Sequence, residues 1–257
     1  MIKISTAGTV PRMAQQITDG VVQLGTDWIN WFLVEDGGGV TVVDAGIPGY
    51  RPQLDEGLRL LGRSPSDVRA VILTHAHSDH VGCAEAIRSE LNVPVYVHEQ
   101  DKNLAITAKA FGKNESSMFP YMRYSSAWRF LGHAARNGGA KPAKIGEVQT
   151  FGDDGTLDVP GSPRIIATPG HTKGHVAFLF ESRGVLFLGD LLMERNVLTG
   201  GRGPQLAPRA FNLSTPTMLD SLTRIEDRNE TLLFGHGNPW TTGGAAAVAE
   251  ARRTGPT

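Results

Sequence analysis

Short apolar runs alternate with polar turns along most of the chain. Runs rich in β-branched and aromatic residues predict strands at 2–5, 21–24, 28–34, 40–43, 68–73, 93–97, 145–150, 157–159, 164–168, 176–180, 185–188 and 231–234. Apolar residues at helical spacing, or alanine-rich composition, predict helices at 50–61, 82–91, 215–228 and 244–253. Strands that alternate with helices predict a layered α/β fold, and the two halves of the chain share this layout.

The segment 99–141 interrupts the alternation with a long, aromatic-rich connection. So long a connection is unusual for an idle loop, and we predict a mainly helical insertion near the active site. Two interpretations stay open. The insertion buries a small core of its own, which we favour, or it forms a lid that lines a substrate pocket. His133 has no neighbour of ligand type here, so we expect a structural or surface histidine.

Length, charge and cysteine content restrict the class of protein. A chain of 257 residues suits one large α/β domain, and we predict a single domain over 1–257. The net charge of −1 argues against a nucleic-acid binder. The single cysteine, Cys83, excludes an internal disulfide and a multi-cysteine metal site. No apolar stretch has the length of a signal peptide or a membrane span, so we expect a cytoplasmic protein without a membrane partner.

The densest chemistry lies at 74–80, Thr-His-Ala-His-Ser-Asp-His, directly after a predicted buried strand. Imidazoles and carboxylates are the ligands that zinc and iron prefer. Residues two apart in an extended backbone point the same way, so His75 and His77 can bind one ion. Asp79 and His80 follow where the backbone turns and can face a second ion. The stretch therefore predicts a metal site at the end of a strand.

Three more residues of ligand type, His171, Asp190 and His236, stand at predicted strand ends beside glycines. Glycine lets the backbone approach a metal centre closely. Asp44 also ends a strand, and it suits a turn or capping role as well as an acceptor that orients a metal-bound histidine. The five histidines and two aspartates of the candidate set are enough for two ions with open positions for water and substrate.

Four motifs together resemble the metallo-β-lactamase superfamily: His-x-His-x-Asp-His at 75–80, Pro-Gly-His-Thr-x-Gly-His at 169–175, Gly-Asp at 189–190 and Gly-His-Gly at 235–237. The resemblance implies a four-layer αββα sandwich with the site along one edge, between two similar halves. It implies the following ligands: His75, His77 and His171 for a first metal, Asp79, His80 and His236 for a second, and Asp190 as the bridge. It also implies a supporting role for Asp44 and a structural role for His175.

The resemblance further implies a metal-dependent hydrolase. Its expected reaction is the cleavage of a carbonyl ester, thioester or lactone in a small molecule, by attack of a metal-bridging hydroxide. The expected cofactors are two divalent metal ions, Zn²⁺ first, with Fe or Mn as alternatives. We predict that Asp79 is also catalytic, because its carboxylate can position the nucleophile and carry a proton toward the leaving group.

Within the superfamily, the ligand set is nearest in motif to glyoxalase II and the acyl-homoserine lactonases. Only residues 237–257 follow the last histidine, where glyoxalase II carries a helical glutathione-binding domain. Met193 stands where the lactonases often carry tyrosine. Diiron oxygen reductases carry glutamate in place of His77. Cys83 lies on a predicted helix, so we expect it to pack in the core rather than bind metal as a cysteine does in many β-lactamases.

Several alternatives stay open at this point. One is an oxidoreductase that resembles the mononuclear iron persulfide dioxygenases, and another is a β-lactam-hydrolysing enzyme. A non-catalytic scaffold is disfavoured because all seven ligand positions are intact. Arg195, Arg202 and Arg209 follow the bridging aspartate and could contact an anionic substrate, although we expect a solvated loop. The oligomeric state is open, with a homodimer as one alternative.

Overall fold

The first half of the chain builds one large sheet. The computed structural model describes residues 14–108, 114–140 and 144–257, and the strand predicted at 2–5 lies outside them. Seven strands follow one another in the sheet in chain order: β1 (Gln15–Thr18), β2 (Val21–Gly25), β3 (Asn30–Asp36), β4 (Gly39–Val43), β5 (Val68–Ile72), β6 (Val95–His98) and β7 (Gln149–Phe151). Strands β1 to β4 pair antiparallel, whereas β4 to β7 pair parallel.

The second half contributes a smaller sheet and a ribbon. Six strands follow: β8 (Arg164–Ala167), β9 (Val176–Phe180), β10 (Val185–Gly189), β11 (Met193–Arg195), β12 (Arg202–Gln205) and β13 (Thr231–Phe234). The second sheet has the order β13-β10-β9-β8, and β11 pairs with β12 in the ribbon. Strand β10 is parallel to β13 and antiparallel to β9.

Seven α-helices accompany these strands in the described part of the chain. They are α1 (Gln53–Leu60), α2 (Ser78–Val81), α3 (Ala84–Leu91), α4 (Lys102–Thr107), α5 (Ser125–Arg136), α6 (Thr215–Ser221) and α7 (Gly244–Thr254). Of the helices that the structure describes, none is both long enough and apolar enough to cross a membrane.

The two sheets pack face to face with helices on both outer sides. Phe32 of β3 meets Phe187 of β10 across the interface, with ring centroids 5.0 Å apart. Leu54 of α1 and Ile87 of α3 belong to the apolar layer outside the first sheet, and Val248 of α7 belongs to the layer outside the second. The predicted four-layer αββα sandwich is confirmed.

The described part of the predicted insertion is helical. It holds a 3₁₀ turn at Glu99–Asp101, helix α4, a second 3₁₀ turn at Phe119–Arg123 and helix α5; positions 109–113 and 141 lie outside the described residues. The predicted mainly helical character is confirmed. Helix α5 fits both interpretations, since Phe130 is buried in the core while the same helix lines a cavity described below.

Some predicted boundaries are wrong. The strand expected at 145–150 begins only at Gln149. Leu157 and Val159 are buried, but the segment 157–159 forms no strand, because the backbone turns back on itself there, with Ser162 N donating to Val159 O at 2.8 Å. The helix expected at 215–228 ends at Ser221 and continues as a 3₁₀ turn at Leu222–Arg224.

The carboxyl ends of several strands open at one edge of the sandwich. In the first sheet, parallel pairing sets Val43 of β4 beside Ile72 of β5. In the second, Gly189 of β10 lies beside Phe234 of β13. Backbone contacts join the two edges, since Val176 N donates to Thr74 O at 2.9 Å. Residues that directly follow these strands are therefore brought together from both halves of the chain.

Candidate metal centre

All seven predicted metal ligands lie at this shared edge. His75 and His77 follow β5, Asp79 and His80 lie in α2, and His171, Asp190 and His236 follow β8, β10 and β13. The sequence predicted a turn for Asp79 and His80. The backbone instead forms the short helix α2, which begins right after the extended His77. Six of the seven side chains are buried, and that of Asp79 is half-buried.

The first predicted group, His75, His77 and His171, converges as expected. One nitrogen from each ring lies within 4.8 Å of the other two, and the ring centroids are 4.5 to 4.8 Å apart. The Nε2 atoms of His75 and His171 are buried without a hydrogen-bond partner. Zinc binds imidazole nitrogen at about 2.0–2.1 Å, so this spacing suits one cation shared by three rings.

The second predicted group, Asp79, His80 and His236, has its ligand atoms within 4.8 Å of one another. His236 Nε2 lies 3.6 Å from Asp79 Oδ2. His80 Nε2 is buried without a hydrogen-bond partner. These atoms could therefore hold a cation on the side of the half-buried carboxylate.

Asp190 stands between the two groups. Its Oδ2 lies 3.2 Å from His236 Nε2 and 3.4 Å from His171 Nε2. Its Oδ1 lies 3.4 Å from His80 Nε2 and has no hydrogen-bond partner. A Cβ on Gly235 would fall 2.3 Å from that Oδ1, so only glycine lets the chain pass this close to the carboxylate.

Four of the histidines use Nδ1 to hold a neighbouring group. The pairs are His75 with Thr74 Oγ1 (3.1 Å), His80 with Asp44 Oδ2 (2.9 Å), His171 with Asn212 Oδ1 (2.9 Å) and His236 with the carbonyl of Trp28. Where Nδ1–H donates outward, the Nε2 lone pair points into the cluster. Such partners fix the tautomer and the ring orientation of metal-binding histidines.

The sequence position of Asp44 suggested two roles, a turn or cap and a hydrogen-bond acceptor that orients a histidine. The structure shows the acceptor role. Asp44 binds His80 through Oδ2, and its Oδ1 accepts from the backbone N–H of Thr74 at 2.8 Å. His175 has both nitrogens engaged, Nδ1 with Thr168 Oγ1 at 2.9 Å and Nε2 with the backbone N–H of Asp190 at 3.0 Å. This pairing leaves His175 no free lone pair and suits the structural role that the resemblance implied.

Burial keeps the first group neutral. It lowers the pKa of His75 and His77 well below the usual histidine value, and neighbouring imidazoles lower both further. The pKa of His171 is lowered for the same first reason, with Asp190 opposing the change. Neutral imidazoles keep the lone pairs that a cation needs.

The carboxylate of Asp190 reverses this balance in its neighbours. Burial alone would lower the pKa of His80 and His236, but Asp190 raises both above the usual value. Burial would raise the pKa of Asp190 itself, but His236 and His80 hold it well below its usual range. The negative charge of Asp190 thus favours positive charge on the groups around it, and bound cations would balance that carboxylate at the same position.

Asp101 was missed by the sequence analysis. Its buried carboxylate accepts hydrogen bonds from Thr172 Oγ1 at 2.6 Å, Gly174 N at 2.9 Å and Ala76 N at 3.2 Å. It therefore ties the loop after β5 to the loop after β8, each of which carries predicted ligands. No motif marks Asp101, because its partners lie 25 to 73 positions away.

Asn212 was also missed. It holds His171 through Oδ1, and its Nδ2 donates to the carbonyl of Ala207 at 2.8 Å, which fixes the orientation of the amide. A buried asparagine in the loop before α6 has no sequence signal of its own.

The three arginines after Asp190 match the expected solvated loop in part. Arg195 and Arg202 lie in the ribbon β11–β12, Arg209 lies in a loop, and the side chains of Arg202 and Arg209 are exposed. Each arginine has a carboxylate partner. The pairs are Arg195–Asp27, Arg202–Asp27 and Arg209–Glu115. Burial, with a further contribution from Arg202, lowers the pKa of Arg195 to about 10. The three guanidinium groups thus already form ion pairs with carboxylates of this protein.

Two residues set aside by the sequence analysis have structural contacts. Cys83 is buried and donates to the carbonyl of Ile47 at 3.1 Å, and burial raises the pKa of its thiol to about 12. His133 is 2.5 Å from the hydroxyl of Tyr50 through Nε2. Neither belongs to a described group of metal-ligating atoms.

A cavity of about 300 Å³ opens onto the cluster. Four predicted ligands form its floor: His77, Asp79, His171 and Asp190. The rest of the described lining is Ile47, Ser78, Met118, Phe130, Leu131, Ala134, Ala135, Gly139, Ala140 and Phe211. The cluster is therefore reachable from a small, mainly apolar chamber.

A family model described as the metallo-beta-lactamase superfamily matches residues 25–236. The chain belongs to this superfamily. The probable metallo-hydrolase YflN of Bacillus subtilis (strain 168) is 29% identical over 209 residues, covering 78% of this chain and 76% of that protein. The probable metallo-hydrolase YqgX of the same organism is 27% identical over 208 residues, covering 80% and 83%.

A solved structure shows the same superfamily fold. The metallo-beta-lactamase family protein TTHA1429 from Thermus thermophilus aligns with a TM-score of 0.65 and 25% identity, over 93% of this chain and 80% of that one. The resemblance to the metallo-beta-lactamase superfamily is thus confirmed. The names of the two Bacillus relatives support the predicted class, a metal-dependent hydrolase. The narrower likeness to glyoxalase II and the lactonases stays a prediction.

Proposed function

We propose that the protein is a binuclear metal-dependent hydrolase that cleaves a carbonyl ester, thioester or lactone. One observation carries the proposal: the Asp190 carboxylate lies within 3.4 Å of imidazole nitrogens from both histidine groups. Around it, several buried nitrogen and oxygen atoms have no hydrogen-bond partner. Buried polar atoms without partners are costly, and a pair of cations would satisfy them together.

The donor set suits zinc. Neutral imidazoles and carboxylates are its usual nitrogen and oxygen ligands, and the first group supplies three such imidazoles. When bound, two divalent cations would lower the pKa of a water molecule and polarise the substrate carbonyl. Iron and manganese accept the same ligands, so they stay alternatives to Zn²⁺.

Asp79 is the candidate for proton transfer. Its carboxylate lies in the cavity floor and is the only half-buried member of the candidate set. Its Oδ2 lies near His236, so one oxygen can stay at the centre while the carboxylate faces the chamber. From there it would accept the proton of the attacking water and pass it to the leaving group.

Metal analysis combined with a substrate panel tests the proposal. We expect two zinc ions per chain and hydrolysis of thioesters, esters or lactones by the metal-replete protein. Asp79→Asn keeps an oxygen ligand but cannot take up a proton at neutral pH, so kcat should fall about 10²–10⁴-fold. Asp153→Asn is the matched control, because Asp153 is exposed and pairs with His98 away from the cavity lining.

Other outcomes would identify the alternatives. One iron per chain with oxygen consumption on persulfides would indicate the dioxygenase, and turnover of β-lactams alone would indicate a β-lactam-hydrolysing enzyme. Protein that binds no metal would indicate a scaffold. Metal-replete protein that hydrolyses no member of the panel would contradict the proposed function.

The expected surroundings of this reaction stay predictions. We propose a small-molecule substrate, a cytoplasmic location, and no nucleic-acid or membrane partner. Size-exclusion chromatography with light scattering would decide between a monomer and a homodimer.

A further inference from the structure

Helix α5 forms one wall of the chamber above the candidate metal centre. Phe130, Leu131, Ala134 and Ala135 line the cavity, and residues four apart on a helix share a face. The helix is anchored beside the centre, since the ring of Phe130 lies 6.2 Å from the ring of His236. The helix therefore forms a wall that borders the centre directly.

Apolar side chains close the chamber opposite the helix. Ile47, Met118 and Phe211 belong to the lining. Met118, Phe211 and Leu131 keep part of their surface exposed in the described structure. An apolar ligand group would cover this surface and gain the free energy of its removal from water.

Charge in the chamber is confined to the centre. Among the described lining residues, the ionisable side chains are only the predicted ligands that form the floor. The arginines that follow Asp190 already hold Asp27 and Glu115. A charged substituent would lose its hydration against this wall without gaining a partner.

We propose that the substrate carries an uncharged, apolar chain next to its scissile carbonyl, and that α5 with Met118 and Phe211 binds this chain. The cavity volume of about 300 Å³ sets the length of substrate chain that the chamber can cover. At about 30 Å³ per heavy atom, the share of a water molecule in the liquid, it holds about ten such atoms. This inference rests on the proposed function and specifies its substrate class.

Ethyl thioesters of straight-chain acids from acetate to dodecanoate test the inference. A thiol reagent detects the ethanethiol released, and the only cysteine, Cys83, is buried and adds little background. We expect kcat/KM to rise about fourfold per methylene, as burial of a methylene predicts, and to level off near ten heavy atoms. Chains of equal length that end in a carboxylate should react at least about tenfold more slowly, because burial of an unpaired charge is costly.

Two variants locate the binding wall. Ala134→Phe projects a phenyl ring into the chamber, so the optimal chain should shorten by several carbons, and kcat/KM should fall more for the long chains than for the acetyl thioester. Arg129→Phe is the matched control. Arg129 is exposed on the same helix and lies outside the lining, so the chain-length profile should stay as in the wild type.

Binding of 1-octanol to metal-free protein gives a readout that does not depend on activity. Octanol should raise the Tm of the wild type and of Arg129→Phe, but not that of Ala134→Phe. Equal kcat/KM at all chain lengths, or faster hydrolysis of carboxylate-ended chains, would overturn the inference and leave the proposed function standing. Failure of every thioester and of the ester and lactone panel, with the octanol shift intact, would instead contradict the proposed function.

Discussion

At the scale of single residues, the buried carboxylate of Asp101 joins the loops that carry three predicted ligands. It accepts from Ala76 N, between His75 and His77, and from Thr172 Oγ1 and Gly174 N, which follow His171. Hydrogen bonds to a charged acceptor contribute about 1.5–3 kcal/mol each. These donors belong to the loops and not to the ligand rings, so we expect Asp101 to act by positioning.

Asp101→Asn should weaken metal binding while preserving the fold. An asparagine of the same shape offers one acceptor oxygen where three donors need two. Changes next to metal ligands typically reduce affinity about 10–100-fold. Chelator competition with a zinc indicator would measure the loss, and circular dichroism would show whether the secondary structure is kept.

A matched carboxylate separates positioning from general charge effects. Asp153→Asn removes a carboxylate that is largely exposed and pairs with His98, so the zinc affinity should stay at the wild-type value. Equal zinc affinity in Asp101→Asn and the wild type would show that the hydrogen bonds of Asp101 do not position the ligands.

The predicted ligands could be found from sequence because each sits at the end of an apolar run, beside glycine or another ligand. Of their supporting residues, Asp44 could be suggested from its place at a strand end, but most of the others could not. Asp101 and Asn212 act across 25 or more positions, and the carbonyl that holds His236 belongs to Trp28, 208 positions away. Such contacts depend on the packing of distant loops, which a local pattern does not encode.

At the scale of elements, the segment after β4 holds the ligand helix in place. Ala45 N donates to His80 O at 2.7 Å, and Gly82 N donates to Gly46 O at 2.8 Å. A Cβ on Gly82 would lie 2.4 Å from the Cα of Ile47. The neighbour is backbone, so it cannot rotate away as a side chain could.

Gly82→Ala should therefore destabilise the protein. The methyl group would push α2 and α3 from the segment 45–47, and overpacking of this kind costs about 1–3 kcal/mol. Thermal unfolding should show a lower Tm than the wild type. Gly152→Ala is the control, since a Cβ there meets no atom within 4 Å. A wild-type Tm for Gly82→Ala would mean that the segment 45–47 can move away from the added methyl group without a loss of stability.

Element types were easier to predict than their limits. Strands such as β5 and β10 are nearly continuous apolar runs, which is typical of strands covered on both faces. The segment 157–159 also places two buried apolar residues in a short run, on either side of an exposed aspartate, yet its backbone turns instead of forming a strand, and the neighbouring Thr156 makes an isolated bridge to Arg164. Burial without a neighbouring strand edge looks the same in the sequence as burial within a sheet.

At the scale of the whole molecule, the candidate centre is assembled from both halves of the chain. The first half supplies the ligands after β5 and in α2, and the second supplies those after β8, β10 and β13. Direct contacts also cross between the halves, since Asn30 N donates to Gly235 O at 2.7 Å and Asn30 Nδ2 to Phe234 O at 3.0 Å. Cations bound here would add bonds across the same boundary.

Zinc should therefore stabilise the fold as a whole. A ligand that binds only the folded state adds about 2.7 kcal/mol at 100 times its dissociation constant, and each kcal/mol raises Tm by about 2–4 °C for a chain near this size. Calorimetry of chelator-treated protein should thus show a Tm rise of about 5–10 °C on addition of zinc. Asp190→Asn replaces the carboxylate between the two groups with a neutral amide and should reduce this rise in Tm. Asp153→Asn should retain the full rise. An unchanged Tm with zinc, or the full rise in Asp190→Asn, would contradict a centre that joins the two halves.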